Sequence, residues 1–143
     1  RGFSFDPLLL TPKAAGRFAF EMFPHAFHVA FFGLEHILKY KKGRLCDRRV
    51  ALDTYRRHLA GAISRLPLAA IPPTLDDALS APLDTLPGAA LKRLEDRLDG
   101  LTCAIAAFEA WRHGIFQNDV FGTPHSAGHI VIPGASRIPG RPR

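Results

Sequence analysis

The sequence predicts a mixed α/β domain, and three stretches of the chain carry that prediction. Residues 17–23, Arg17-Phe-Ala-Phe-Glu-Met-Phe23, alternate as a strand does. Residues 88–113 repeat large apolar side chains at steps of three and four, the period of an amphipathic helix. Two short β-type runs, 115–121 and 128–132, flank a loop bearing glycine and proline. With 143 residues, 47% of them hydrophobic, the chain has room for one domain and one core of useful size.

The lead-in, 1–16, contains Pro7, Pro12 and Gly16 and reads as irregular, with Leu8 to Leu10 available for packing. In 17–23, Phe18, Phe20 and Met22 share one face and Arg17, Ala19, Glu21 and Phe23 the other. Apolar character on both faces suits a central strand. Pro24 opens a helix that runs to about Phe32, since proline at the first helical position sacrifices no hydrogen bond, and Gly33 closes it. Leu38 to Arg44 is a loop. The helix after it carries Leu45, Leu52, Leu59 and Leu66 at seven-residue spacing, with Tyr55 and Ala62 between them and arginines on its other faces. Pro67, Pro72 and Pro73 break the chain. Thr74, with Asp77 three residues on, marks a capped start for a short helix ending before Pro82. From Gly88 to about His113, Leu91, Leu94, Leu98, Leu101, Ile105 and Phe108 form one stripe, and Gly114 stops the helix. A disordered tail is expected over 134–143, which leaves 17–133 as the folded part.

Charge is concentrated. The net charge of +6 is supplied by Lys39 to Arg57, where Lys39, Lys41, Lys42, Arg44, Arg48, Arg49, Arg56 and Arg57 face only Asp47 and Asp53. Such a patch suits a polyanion, whose successive phosphates can be met by several cations at once. A solvated basic helix with no partner has the same composition.

Several classes are disfavoured. No run of eighteen apolar residues and no signal-peptide pattern is present, which leads to the expectation of a cytoplasmic protein without membrane contact. Cys46 and Cys103 match no zinc spacing and read as ordinary thiols. His25 with His28, and His125 with His129, lack the glutamate of an HExxH site. Ser64 and Ser126 lack a nucleophile elbow, and there is no glycine-rich phosphate loop.

The acids are more informative. Asp96 and Asp99 stand i, i+3 on one helix face, ahead of a stretch, Leu101 to Trp111, that holds Glu109 and no other charge. By helical phase they share a flank with Cys103, Ala106 and Ala110, which predicts carboxylates at the mouth of a buried face. Pairing with Lys92, Arg93 and Arg97 on a solvated surface is the competing reading. Glu21, between Phe20 and Met22, is poorly placed for solvation if its strand is central. Were the strand end and helix start to meet, Glu21, Asp96 and Asp99 would form a three-carboxylate cluster, the donor set that holds Mg²⁺ or Mn²⁺ for phosphodiester hydrolysis.

Four segments in order resemble one family. Phe20-Glu-Met-Phe-Pro-His25 resembles an "EvyPh" strand end, Leu38-Lys-Tyr-Lys-Lys-Gly-Arg44 a "lkYKkGR" loop, Asp96-Arg-Leu-Asp-Gly-Leu-Thr-Cys-Ala104 a "DxxDAlxcA" helix, and Gly128-His-Ile-Val-Ile-Pro133 a closing "GwIvlP" strand. These are motifs of the family called domain of unknown function 429, predicted nucleases of the ribonuclease H-like superfamily. The resemblance implies the C-terminal portion of a ribonuclease H-like domain: a central strand, several helices and a C-terminal strand pair. It implies Glu21, Asp96 and Asp99 as catalytic metal ligands for Mg²⁺ or Mn²⁺. The basic residues Lys39, Lys41, Lys42, Arg44 and Arg48 are then expected to hold DNA or RNA, with Lys42 and Arg44 foremost. Gly100 stands where the family has alanine. The superfamily's first strand, with its aspartate, has no counterpart before Arg17, and Phe5-Asp6-Pro7 does not match it. The expectation is therefore that one metal ligand lies outside this chain, that the chain alone does not cleave, and that it exposes apolar edges. A non-catalytic nucleic-acid or protein binding module with the same fold is the alternative.

Overall fold

The computed structural model describes residues 2–67, 72–123 and 128–137. Four helices are set by the punctuation of the sequence. Helix α1 spans Pro24–Phe32, with proline at its first position and Gly33 closing it at φ 66°. Helix α2 spans Leu45–Ile63, α3 Pro73–Ser80 and α4 Gly88–His113. Strands β1, Val120–Gly122, and β2, His129–Val131, form an antiparallel pair with Val120 opposite Val131 and Gly122 opposite His129. The predicted α/β character holds at this level: helices with one small sheet. No helix among the described residues is long and apolar enough to cross a membrane.

The expected central strand over 17–23 does not form. Its backbone is flanked on both sides: Ser4 N–H donates to Arg17 O at 2.8 Å, Ala19 N–H to Ser4 O at 2.9 Å, and Val131 N–H to Glu21 O at 2.8 Å. The contact with Ser4 is nonetheless a single parallel bridge at Phe18. A ladder does not extend along the lead-in, because the chain turns at Pro7 into a 3₁₀ turn, Pro7–Leu9, capped by the Asp6 carboxylate. Two smaller expectations also fail. Thr74 is not the cap of α3: Pro72 precedes the helix and Pro73 is its first residue. The first C-terminal strand begins at Val120, not Ile115, because a 3₁₀ turn occupies Gln117–Asp119. The middle of the 122–128 loop, with His125 and Ser126, lies outside the described residues; of the tail expected over 134–143, Ala135–Arg137 form a 3₁₀ turn and 138–143 lie outside them.

The chain divides into two compact units. In Leu38–Thr102, the stripe Leu52, Tyr55, Leu59 and Ala62 of α2 is buried, as are Leu91, Leu94 and Leu98 of α4. Each fully buried leucine contributes roughly 1.5–3 kcal/mol. Leu45, the first of the predicted heptad, remains exposed. The other unit joins residues before 38 to those after 102. Its core gathers Leu10, Ala110, Ile115 and Val131, with Phe18, Phe20 and Val120 packed against it. Gly114 makes that junction possible. Its φ is 74°, and a Cβ there would lie 2.8 Å from Pro12 Cδ and 3.0 Å from Leu10 O. Freed of a side chain, the helix exit lets Ile115 N–H reach Leu10 O at 2.9 Å. Asp119, fully buried, accepts the N–H groups of Phe116 and Ser136 and so ties the turn before β1 to the segment after β2.

Candidate functional site

The basic loop 38–44 is fixed to α4 by one carboxylate. Asp99 Oδ1 accepts the Tyr40 hydroxyl at 2.7 Å, and its Oδ2 pairs with Lys41 Nζ at 2.7 Å. Tyr40 is fully buried and its ring stacks on Tyr55 at 4.7 Å between centroids. The Tyr55 hydroxyl in turn meets Leu98 O at 3.0 Å and the Thr102 hydroxyl. Burial, and then the hydrogen bond to Asp99, push the Tyr40 phenol far above its ordinary range, so it donates throughout the physiological pH interval. Lys41 also lies over the Tyr40 ring, 5.6 Å from its centroid. A buried tyrosine needs an acceptor, and that requirement is what could have picked out Tyr40 as the partner of Asp99 in the sequence.

Four of the five cations expected to hold a nucleic acid are exposed, Arg48 is half-buried, and they differ in what engages them. Lys39, Lys42 and Arg44 are exposed. Arg44 contacts Asp47 at 2.9 Å, but with side chains 83% and 56% exposed that pair is screened and leaves the guanidinium able to exchange partners. Lys41 is engaged by Asp99. Arg48 is a structural cation instead: it meets the buried Glu95 at 2.5 Å and donates to Tyr40 O. Glu95 is 2% exposed and must be compensated, and Arg48 supplies the charge. The loop ends on α2, whose first helical hydrogen bond runs from Arg48 N–H to Arg44 O. The amides of 45–47 therefore begin the helix without a side-chain cap, and their partial positive charge adds to that of the loop. Gly43, at φ 109°, allows the turn.

Each of the three acids has its own surroundings. Asp96 is exposed and bound to Lys92 on its own helix, the surface pairing that competed with a metal role; this contact raises the Lys92 pKa. Asp99 is half-buried, with each oxygen already engaged. Glu21 is exposed, because the segment carrying it is not enclosed in a sheet. On the flank reached by helical phase, Ala106 and Ala110 are buried but Cys103 is exposed. Among the described residues no group of three or more His, Cys, Asp and Glu is placed to hold a metal ion. As arranged, the donors do not fit Mg²⁺ or Mn²⁺, since a divalent ion would have to displace an ammonium and a phenol from Asp99 and an ammonium from Asp96. No known protein family, curated protein or solved structure matches this chain.

Proposed function

We propose that this chain supplies a nucleic-acid-binding surface of a cytoplasmic ribonuclease H-like protein, with Lys39, Lys42 and Arg44 meeting the phosphate backbone. The observation that carries the reading is the Asp99 anchor. By binding Tyr40 and Lys41, it holds the loop in one conformation while leaving three cations exposed beside a helix start. A preorganised cluster of this kind loses less conformational freedom on meeting phosphates than flexible lysines do. The test is anisotropy with fluorescent DNA and RNA oligonucleotides across a salt series. Lys42→Ala with Arg44→Ala should weaken binding to all sequences and lower the salt slope by about 2. Asp99→Asn should weaken it without removing a loop cation. Binding untouched by either change overturns the reading.

A second reading, metal-dependent phosphodiester hydrolysis, is favoured by one contact. Tyr40, in one segment that resembles the nuclease family, donates to Asp99, in another, 59 residues away in sequence. The carboxylates as arranged do not fit the metal, so no catalytic step is derived. In the intact parent protein, Mn²⁺-dependent cleavage lost in Asp99→Asn would support hydrolysis, and cleavage unchanged by that substitution would remove it.

A further inference from the structure

The helical stripe at 46, 49, 53, 56 and 57 of α2 lines an open cavity of about 580 Å³, closed on the other side by the end of α3 and the 3₁₀ turn Leu83–Thr85. Its size is that of small-molecule sites, about 300–1,000 Å³. Three guanidinium groups, Arg49, Arg56 and Arg57, line it, against the carboxylates of Asp53 and Asp84. Asp53 is shared by two of them, at 2.7 Å from Arg56 and 3.2 Å from Arg57, and its carboxyl is held below the ordinary range chiefly by the Arg56 hydrogen bond. Arg49 donates to Leu86 O at 2.8 Å and, among the described residues, forms no ion pair. Arg56 also donates to Ala81 O.

Those carbonyl contacts hold two guanidinium planes against the cavity wall and do not neutralise them. The Nε atoms of Arg49 and Arg56 are enclosed and meet no acceptor. Arg56 already shares Asp53, whereas Arg49, half-buried and with no carboxylate among the described residues, is stabilised by an anion that brings several oxygens. Arginine forks suit phosphate oxygens, and Arg49 and Arg56, two helical turns apart, are separated by about 10 Å along the axis. That span exceeds one phosphate and matches a ligand with more than one.

We propose that this cavity binds a small polyphosphorylated ligand, with Arg49, Arg56 and Arg57 as its phosphate contacts. The site is separate from the loop cations and does not depend on the reading above.

Pyrophosphate is the probe, and Cys46, an exposed thiol on the cavity lining, is the reporter. The alkylation rate of each cysteine is followed by peptide mass spectrometry at constant ionic strength, with the exposed Cys103 as the control. Pyrophosphate should slow alkylation of Cys46 several-fold and leave Cys103 unchanged. Arg49→Gln and Arg57→Gln should each raise the pyrophosphate concentration needed by about tenfold, the effect of losing one charge-assisted hydrogen bond. Arg57→Gln keeps both carbonyl contacts of the wall, so it carries the test if Arg49→Gln loosens the fold. Protection equal to that given by sodium chloride overturns the proposal. So does protection that survives Arg57→Gln, or that disappears in the Lys42→Ala, Arg44→Ala variant.

Discussion

The unit Leu38–Thr102 and the unit built from the flanking chain treat their side chains in opposite ways. The first buries a stripe of leucines and gives its buried acid and tyrosines partners: Glu95 with Arg48, Tyr40 with Asp99, Tyr55 with Thr102. Among the described residues, only Leu45 and Val50 of its large apolar side chains are exposed. The second leaves Phe3, Phe5, Leu9, Phe23, Trp111 and Phe116 in solvent, and among the described residues its one side-chain ion pair is His113 with Glu109. The lesson is that polar anchoring and apolar exposure have been sorted between the two. The first is suited to holding charged groups still for a ligand, whereas the second carries a liability to self-association.

That contrast can be broken by mutation, most strongly in the leucine core. Leu98→Ala, at a fully buried position, should lower stability by about 2–5 kcal/mol in chemical denaturation. Glu95→Ala should cost about 2–3 kcal/mol, less than for a fully buried pair because Arg48 keeps a fifth of its exposure. A smaller change would indicate that water already reaches the pair. Tyr40→Phe should cost about 1 kcal/mol at neutral pH. It should also change the alkaline limb. The folded-state pKa of Tyr40 lies above its unfolded value, so its contribution is complete below about pH 10 and is lost as pH rises further. The wild type should therefore lose stability above that point more steeply than Tyr40→Phe in denaturant titrations at stepped pH. The smallest expected effect sharpens the other side of the comparison. Phe5→Ser, at a residue 69% exposed, should move stability by no more than about 0.5 kcal/mol while reducing light scattering on concentration. A large loss of stability there would show that the exposed aromatics are structural.

Helices were legible because their signals are local. Pro24 and Gly33 bracket α1, and the stripe from Leu91 to Phe108 with Gly114 beyond it marks the course and end of α4. The segment 17–23 departs from its pattern because alternation reports two usable faces, not a partner, and the turn at Pro7–Leu9 leaves it a single bridge. The acidic pair was legible as a pair on one flank and not as a site. Helical phase cannot say that Lys92 reaches Asp96, or that Tyr40, far away in sequence, takes Asp99. The cavity arginines were visible as charge, but their division between wall contacts and surface depends on carbonyls at 81 and 86 that no pattern in α2 announces.

The hydrogen bond from Ile115 to Leu10, made beside the side-chain-free Gly114, joins residues about a hundred positions apart, whereas Leu38–Thr102 closes on itself within one continuous stretch. The order of assembly follows. During synthesis the inner unit has all its partners once Thr102 is clear of the ribosome, while the lead-in must wait, with Leu10 uncovered, until Ile115 and the residues after it emerge. The junction at Gly114 thus closes after the inner unit, and the contacts of Val131 with Glu21 and of Ser136 with Asp119 can form only later.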